Sequence, residues 1–323
     1  MAKDTLASLM KQWEDYLETG DTDKSERARF PSSVLALNQA IGDMRGLESG
    51  IIQIIGDEAT GKTTLAFNII AESQRKGVNE ITLPNGKVIN AALLDFERTY
   101  DKGYAEALGV DTTKLLIVKT PYAEQTFDIA EQLLVEGLQL MVIDSIAMII
   151  PKSEEDKSFE ESTKVAAEAS VIGRFLKRIN QLSDDADALV LMINQWRSNI
   201  SPMARTDKKP YGARIIKHVI KLTIELTRIK REETRMHIEA FVSKNKMGAI
   251  GRKVQYQIEH GHGIDVSQHI ISLALDYEIV TRRGAWYMYG DQKAQGEASA
   301  LKTFPMDEIK AKVIKAMEDE QTT

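Results

Sequence analysis

The sequence predicts an α/β fold whose mainly parallel sheet continues into an antiparallel extension. From residue 50 onward, apolar runs of four to six residues alternate with helical patterns, which is typical of parallel strands buried on both faces. A glycine-rich turn joins the first run to the first helix. After Ile193 the segments lengthen, alternate between apolar and polar residues and are joined by short polar turns, as in antiparallel hairpins.

Each central strand is predicted from one apolar run, and a helix at about Thr63–Lys76 follows the first of them. The predicted central strands are Ile51–Ile55, Ala91–Phe96, Leu115–Val118, Leu140–Ile143 and Leu189–Ile193. The predicted antiparallel extension comprises Ile220–Ile229, Arg235–Val242 and Arg252–Ile258. A Pro-Asn-Gly turn within residues 79–90 predicts an inserted hairpin.

Three segments are predicted along the chain. Residues 1–30 combine an amphipathic helix with a polar tether, so we expect this small helical element to dock on another subunit. Residues 31–262 form the α/β core. Residues 263–323 form a small α+β C-terminal domain.

Composition excludes several classes of protein. The chain has 323 residues, a formal net charge of -6 and no cysteine, which excludes disulfides, thiolate zinc sites and cysteine nucleophiles. No apolar window is long enough to span a membrane and the first segment is charged throughout, so we expect a cytoplasmic protein without a membrane partner. The net charge argues against coating nucleic acid with the whole surface, but it is compatible with one basic stripe.

A phosphate-binding loop is predicted between the first strand and its helix. Gly56–Thr63 fits the pattern G-x-x-x-x-G-K-S/T, in which backbone N–H groups and the helix N-terminus surround a phosphate chain. Lys62 is expected to reach the β- and γ-phosphates, and the Thr63 hydroxyl to ligate a magnesium ion (Mg²⁺). The predicted nucleotide-binding residues of this loop are Gly56, Asp57, Glu58, Ala59, Thr60, Gly61, Lys62, Thr63 and Thr64.

Two carboxylates follow neighbouring predicted strands. Asp144 ends the run Leu140–Ile143, and we expect it to be exposed at the edge of the sheet where α/β proteins bind ligands, as the second metal ligand. Glu97 closes the second predicted strand, Ala91–Phe96, and is the candidate base that orients water for hydrolysis. The sequence therefore predicts nucleotide triphosphate hydrolysis with ATP and Mg²⁺.

A basic segment follows the last central strand. The segment Trp196–Lys217 contains six cationic residues and one aspartate, and apolar and aromatic residues lie among them in the sequence. Cations can follow phosphates while rings stack on bases, so the segment predicts binding to single-stranded nucleic acid. Gln195 precedes it and is placed to sense the γ-phosphate, which would couple nucleotide state to the order of the segment. The candidate DNA-binding residues are Arg197, Ile200, Arg205, Lys208, Lys209 and Arg214.

Seven motifs in order resemble the RecA-type DNA strand-exchange recombinases, including their bacteriophage relatives. The similarity runs from about Ser32 to Ala300 and is more specific than a phosphate loop alone. The motifs are GDEATGKTT, LLDFERTYDKGYAEALGVD, VIDSIAMIIPK, INQWR, GARIIKH, SKNK at 243–246 and GAWYMYGDQKAQGEASA. The resemblance implies a RecA-like P-loop ATPase core.

The resemblance also implies roles for individual residues. Asp101 and Tyr104 would hold the adenine. Gln195 would link the γ-phosphate to the second DNA loop of the family, which corresponds to the basic segment, and Ile200 would separate base triplets. Lys244 and Lys246 are similar to the pair that reaches a neighbour's ATP across a filament interface and would act as catalytic residues with Glu97, Lys62 and Gln195. The hydrolytic site would then be complete only between subunits.

The implied function is ATP-dependent homologous recombination. The resemblance implies a helical filament of many copies on single-stranded DNA, pairing with duplex DNA, strand exchange, and hydrolysis that releases DNA. The implied setting is the cytosol of a bacterial host, with a single-strand-binding protein or loader as further partner. A ring helicase or translocase of the same fold, an ATP-binding recombination mediator and a small-molecule kinase are the alternatives.

The chain departs from the family pattern at several positions. Ala213 stands where the family has glycine, and His218 where it has phenylalanine. The first DNA loop, residues 153–164, is acidic and lacks the family's glycines. With the inserted hairpin and a short acidic tail, these differences favour a phage-borne member.

Overall fold

The computed structural model describes Lys11 and residues 27–152, 165–198 and 208–322. The predicted N-terminal amphipathic helix and the acidic first DNA loop therefore lie outside the described residues, as do Ile200 and Arg205.

The described residues form helices and strands that alternate through the first two thirds of the chain. The helices are α1 (Leu35–Ile41), α2 (Lys62–Lys76), α3 (Lys102–Ala107), α4 (Ala123–Val135), α5 (Val165–Asp185), α6 (Ala213–Val219), α7 (Val266–Asp276), α8 (Glu297–Thr303) and α9 (Met306–Thr322). The strands are β1 (Arg29–Phe30), β2 (Leu47–Glu48), β3 (Gly50–Gly56), β4 (Ile81–Thr82), β5 (Val88–Ile89), β6 (Ala91–Asp95), β7 (Leu115–Val118), β8 (Leu140–Asp144), β9 (Leu189–Ser198), β10 (Lys208–Pro210), β11 (Leu222–Arg231), β12 (Arg235–Asn245), β13 (Lys253–Glu259), β14 (Gly263–Ile264), β15 (Thr281–Arg283), β16 (Trp286–Tyr289) and β17 (Gln292–Gln295).

One large sheet organises the core. Its strand order is β14-β13-β12-β11-β3-β9-β8-β6-β7, and the strands from β11 to β7 are parallel to their neighbours. Strands β12, β13 and β14 extend the sheet in antiparallel fashion. The predicted α/β fold with a mainly parallel sheet and an antiparallel extension is confirmed.

The parallel strands are buried on both faces because successive side chains of a strand point in opposite directions. In β3, Ile52 and Ile54 pack into one hydrophobic cluster with α2, whereas Ile51 packs into a second cluster that contains residues of α4 and α5. Both clusters are closed to solvent. This two-sided burial explains why the central strands have uninterrupted apolar sequences.

Two strands differ from their sequence-based predictions, whereas the predicted inserted hairpin is present. Strand β9 continues five residues beyond Ile193, because its distal part pairs with β10 instead of the central sheet. Strand β11 pairs with β12 in antiparallel fashion, as expected of the extension, but its other edge pairs with β3 in parallel fashion. The inserted hairpin is present as the short antiparallel pair of β4 and β5.

A third hydrophobic cluster lies in the C-terminal part of the chain. It unites α7, α9 and the small sheet β15-β16-β17, and its buried members include Ile271, Tyr287 and Val313. Helix α1 also contributes, because Leu35 packs in this cluster and Ala36 N donates a hydrogen bond to His269 Nε2. The C-terminal part is thus tied to an element near the start of the described chain.

No helix in the described ranges has the length and apolarity needed to cross a membrane.

Gly46, just before β2, provides a test of packing at the edge of the core. Its φ is +111°, and a Cβ atom there would lie 2.4 Å from Phe30 O. We expect Gly46→Ala to lower the free energy of unfolding by about 2–5 kcal/mol, since backbone strain and steric overlap add. Urea denaturation would measure the loss.

Gly42→Ala is the matched control. Gly42 has a similar φ of +99°, but a Cβ there would meet no atom within 4 Å. Only the strain remains, so we expect a loss of about 1–2 kcal/mol. Equal losses in the two variants would contradict the proposed overlap at Gly46.

Candidate nucleotide site and the adjoining basic ribbon

The candidate site lies where four adjacent strands end. Strands β3, β9, β8 and β6 are consecutive in the sheet and parallel, so their carboxyl ends share one edge. Gly56 is paired with Gln195, and Asp95 with Asp144. A cavity of about 270 Å³ opens at this edge. It is lined by Glu58, Ala59, Thr60, Gly61, Lys62, Thr63, Thr64, Glu97, Asp144, Gln195 and Met236.

The phosphate loop is folded around the Lys62 side chain. Lys62 Nζ donates hydrogen bonds to Gly56 O at 3.0 Å and to Asp57 O at 2.6 Å. Gly61 adopts a left-handed φ of +79°, which turns the chain directly into α2. Burial lowers the pKa of the Lys62 ammonium, and the carboxylates of Asp144 and Glu97 oppose that change. The loop thus presents a cation and a helix N-terminus to the cavity, as an anion site requires.

Asp144 and Thr63 form the candidate metal site. Thr63 Oγ1 donates to Asp144 Oδ2 at 2.8 Å. The expected exposure of Asp144 is wrong: the residue is only 3% exposed, because the neighbouring strands and the phosphate loop enclose it. Burial first, then the nearby Glu97 and Asp95, raises its pKa to about 6 against the hydrogen bond from Thr63. A hydroxyl and a carboxylate are the hard oxygen ligands that suit Mg²⁺.

Glu97 lies two residues beyond the end of β6 and faces Asp144. Phe96 N and Glu97 N both donate to Asp144 O, which fixes the backbone there. Glu97 Oε1 accepts hydrogen bonds from Ser145 Oγ at 2.5 Å and from Gln195 Nε2 at 2.9 Å. Ser145 was not predicted from the sequence as a site residue, although its position directly after Asp144 could have indicated it.

Asp95 is a second residue that sequence reasoning missed. Its side chain is 1% exposed and forms an ion pair with Lys119 Nζ at 2.8 Å. It also accepts hydrogen bonds from Thr99 N and Tyr100 N. These contacts hold the turn after β6, which carries Glu97.

The residues expected to hold the adenine lie beside the phosphate loop. Asp101 Oδ1 accepts from Tyr104 N at 2.6 Å and caps α3. The Tyr104 hydroxyl is hydrogen-bonded to Thr64 Oγ1 at 2.7 Å. Tyr104 is therefore positioned next to α2, while the adenine contacts stay a prediction.

The basic segment begins and ends in a two-stranded ribbon. Antiparallel β9 and β10 pair Trp196 with Pro210, Arg197 with Lys209 and Ser198 with Lys208. Lys208 and Lys209 of the basic segment therefore lie in strand β10.

Contacts at the base of the ribbon join it to the sheet. The Arg197 guanidinium stacks 4.4 Å from the centre of the Tyr211 ring and donates to Ala147 O. Asn194 Nδ2 donates to Tyr211 O, and Tyr211 N donates to Gln195 O. The ribbon is therefore connected through Gln195 to Glu97 in the cavity.

The remaining candidate DNA contacts are only partly placed. The backbone of Arg214 lies in α6, and its side chain is outside the described set.

Lys244 and Lys246 lie apart from the phosphate loop of their own chain. Lys244 Nζ donates to Lys217 O at 2.6 Å, and Lys246 Nζ donates to His218 O at 2.9 Å. Both cations thus sit at the C-terminal end of α6, where the helix dipole favours positive charge. Neither lines the nucleotide cavity among the described residues. The structure does not bring this pair to the site within one chain.

The raised pKa of Asp144 leads to a prediction about stability. Because the folded protein holds this carboxylate at a pKa of about 6, its ionisation costs stability above that pH, and the cost disappears as the pH falls towards 3.8. We expect Asp144→Asn, without nucleotide or metal, to raise the free energy of unfolding by about 2 kcal/mol at pH 7.5, allowing for the lost hydrogen bond. The gain should be smaller at pH 5, which lies between the pKa of about 6 in the folded protein and the ordinary value of 3.8.

Urea denaturation at the two pH values would measure this gain. Asp276→Asn, which removes an exposed carboxylate, should leave stability within about 0.5 kcal/mol at both. A gain for Asp144→Asn that is independent of pH would contradict an ionisation cost.

Comparison with known proteins agrees with this geometry. The RecA N-terminal domain family matches residues 3–265, and the RecA C-terminal domain family matches residues 268–318. The protein RecA of Amycolatopsis mediterranei is 31% identical over 307 residues, which cover 92% of this chain and 84% of the relative. The protein RecA of Porphyromonas gingivalis is 34% identical over 279 residues, which cover 84% of this chain and 78% of the relative. The expected resemblance and the RecA-like core are confirmed, and the chain belongs to the RecA family of recombinases.

Proposed function

We propose that this protein is an ATP-dependent homologous recombinase that forms filaments on single-stranded DNA and catalyses homologous pairing and strand exchange. One observation carries the proposal: Gln195 Nε2 donates to Glu97 Oε1 at 2.9 Å. Gln195 belongs to the strand that becomes the basic ribbon, and Glu97 belongs to the phosphate cavity. A single hydrogen bond therefore links the candidate hydrolytic carboxylate to the candidate DNA-binding element.

The nucleotide would occupy the cavity at the strand ends. Lys62 would leave its two carbonyl partners to contact the β- and γ-phosphates, while Thr63 and Asp144 would hold Mg²⁺. The metal ion would neutralise charge that develops on the phosphate oxygens. Asp101 and Tyr104 would contact the adenine.

Glu97 would orient the attacking water. In the structure one of its oxygens accepts hydrogen bonds from Ser145 and Gln195. When a γ-phosphate arrives, the Gln195 amide can turn from Glu97 to a phosphate oxygen. That exchange would free the carboxylate for catalysis and shift the ribbon through the contacts of Tyr211 with Asn194 and Gln195.

The ribbon and the segment that it encloses would bind the polynucleotide. Arg197, Lys208 and Lys209 supply cations, and the Trp196 and Tyr211 rings lie among them. Arg205 and Arg214 would add phosphate contacts, and Ile200 would separate bases. This combination of cations and apolar groups suits single-stranded DNA, whose bases can unstack.

Filament formation would complete the hydrolytic site. Because Lys244 and Lys246 lie away from the phosphate loop of their own chain, we propose that they contact ATP bound by the adjacent copy. Residues 1–30 would dock on the adjacent copy, residues 31–262 would act as the ATPase core and residues 263–323 as the C-terminal domain. A bacterial cytosol and a single-strand-binding protein or loader remain the proposed setting, and phage origin stays a prediction.

ATP turnover with and without single-stranded DNA tests the proposal. We expect DNA to stimulate hydrolysis, and we expect Glu97→Gln to slow it by roughly 10² to 10⁴ because a neutral amide cannot act as base. ATP binding should persist in Glu97→Gln and be lost in Lys62→Ala. Rapid-quench turnover, nucleotide-binding titration and negative-stain imaging of filaments would measure these outcomes.

A surface substitution supplies the control. Glu80 forms an exposed ion pair with Lys114, so Glu80→Gln should hydrolyse ATP at the unaltered rate. Unchanged turnover in Glu97→Gln would remove Glu97 from its proposed role. Unwinding of a tailed duplex without joint molecules would instead support a ring helicase or translocase.

The salt dependence of binding tests the ribbon. If Lys209 contacts one phosphate, binding of the Lys209→Gln variant should release fewer counterions. The slope of log affinity against log salt should then be smaller in magnitude by about 0.7. Fluorescence anisotropy of a labelled oligothymidylate across a salt series would measure the slope. As the control, Lys310→Gln in α9 should leave the slope unaltered. An unaltered slope in Lys209→Gln would place Lys209 away from the phosphate backbone of the DNA.

A further inference from the structure

An ion pair joins the phosphate loop to the basic ribbon. Lys208 Nζ donates to Asp57 Oδ1 at 2.9 Å and to Oδ2 at 2.8 Å. The two residues are 151 positions apart in the sequence. Both side chains are more than half exposed, so the pair lies at the surface and is accessible to a polyanion.

The sheet register places these residues opposite each other. Parallel pairing of β3 with β9 ends at Gly56 and Gln195, so Asp57 is the first residue beyond it. Strand β9 then continues to Ser198, whose partner is Lys208. Because neighbouring side chains of a strand point to opposite faces, Lys209 faces away from the phosphate loop when Lys208 faces towards it.

Asp57 contacts two lysines with different predicted ligands. Its carbonyl oxygen accepts a hydrogen bond from Lys62, whose predicted ligand is the nucleotide, while its carboxylate holds Lys208, whose predicted ligand is the polynucleotide. An aspartate beside a phosphate site repels phosphate unless a cation neutralises it. Lys208 supplies that cation.

We propose that Asp57 is an internal competitor for polynucleotide phosphate at Lys208. In the structure its carboxylate neutralises the Lys208 ammonium group, and this ion pair, the latch, holds the ribbon against the phosphate loop. A polynucleotide must displace the carboxylate before Lys208 contacts its backbone. The inference rests on the proposed binding of single-stranded DNA by the ribbon, and it adds an acidic residue of the phosphate loop as a determinant of that affinity.

The size of the effect follows from the exposure of the pair. Exposed ion pairs are weak because water and salt screen them, so removal of Asp57 should change an equilibrium by about two- to fivefold. The latch therefore lowers affinity for DNA without abolishing it, and its contribution should decrease with added salt.

Chemical labelling tests the latch without any nucleic acid. An ammonium group held by a carboxylate is shielded from an acylating reagent, and Lys209 is an internal reference in the same peptide. After brief acetylation of the nucleotide-free protein, mass spectrometry would give the ratio of Lys208 to Lys209 modification. We expect Asp57→Asn to raise this ratio about two- to fivefold, and an unaltered ratio would overturn the latch.

Binding of a labelled oligothymidylate tests the competition. In nucleotide-free protein at low salt, we expect Asp57→Asn to raise affinity about two- to fivefold. In a Lys208→Gln background the same substitution should have no effect, because the competed group is absent. In a Lys209→Gln background the full increase should persist, which makes Lys209 the matched control.

The two backgrounds separate a contact from a general charge effect. An equal gain in the Lys208→Gln and Lys209→Gln backgrounds would overturn the competition, since loss of any negative charge would then explain it. If the unaltered chain binds no oligonucleotide, the proposed function fails together with the competition. If it binds and only the dependence on Lys208 is missing, the competition alone fails.

Discussion

The parallel pairing of β3, β9, β8 and β6 is the constraint on which the site depends. The phosphate loop, Gln195, Asp144 and the turn that carries Glu97 stand at these four strand ends, and the shared direction brings all four ends to one edge. Reversal of any one strand would carry its group to the opposite edge of the sheet. The two hydrophobic clusters that cover the faces of the sheet hold this arrangement, so the geometry of the candidate site is a consequence of core packing.

The negative charges of Asp95 and Asp144, which are paired across β6 and β8, are compensated to different extents. Asp95 is compensated by Lys119 and by two backbone N–H groups, and it serves the turn that carries Glu97. Asp144 is buried, has one hydroxyl donor and lies beside other carboxylates, so burial first and then these carboxylates raise its pKa. The incomplete compensation of Asp144 favours a cation at this position, because a metal ion supplies the charge that the protein withholds.

The sequence predicted the central strands, the phosphate loop and Glu97 because apolar runs and a spaced glycine motif are local signals. It did not predict the burial of Asp144, since enclosure depends on the strands that lie on either side. The ribbon pairing of Lys208 and its contact with Asp57 were also missed. Those contacts join residues distant in the chain, and a single sequence carries no local pattern for them.

The position of Leu35 has a consequence for how the chain folds during synthesis. This residue of α1 is buried among side chains of the C-terminal cluster, which is translated after the whole sheet core. A nascent chain therefore emerges from the ribosome with one flank of α1 uncovered, and that flank is covered only when the residues of the C-terminal cluster follow. Packing of α1 on the ribosome would therefore remain incomplete until α7 and α9 have been synthesised.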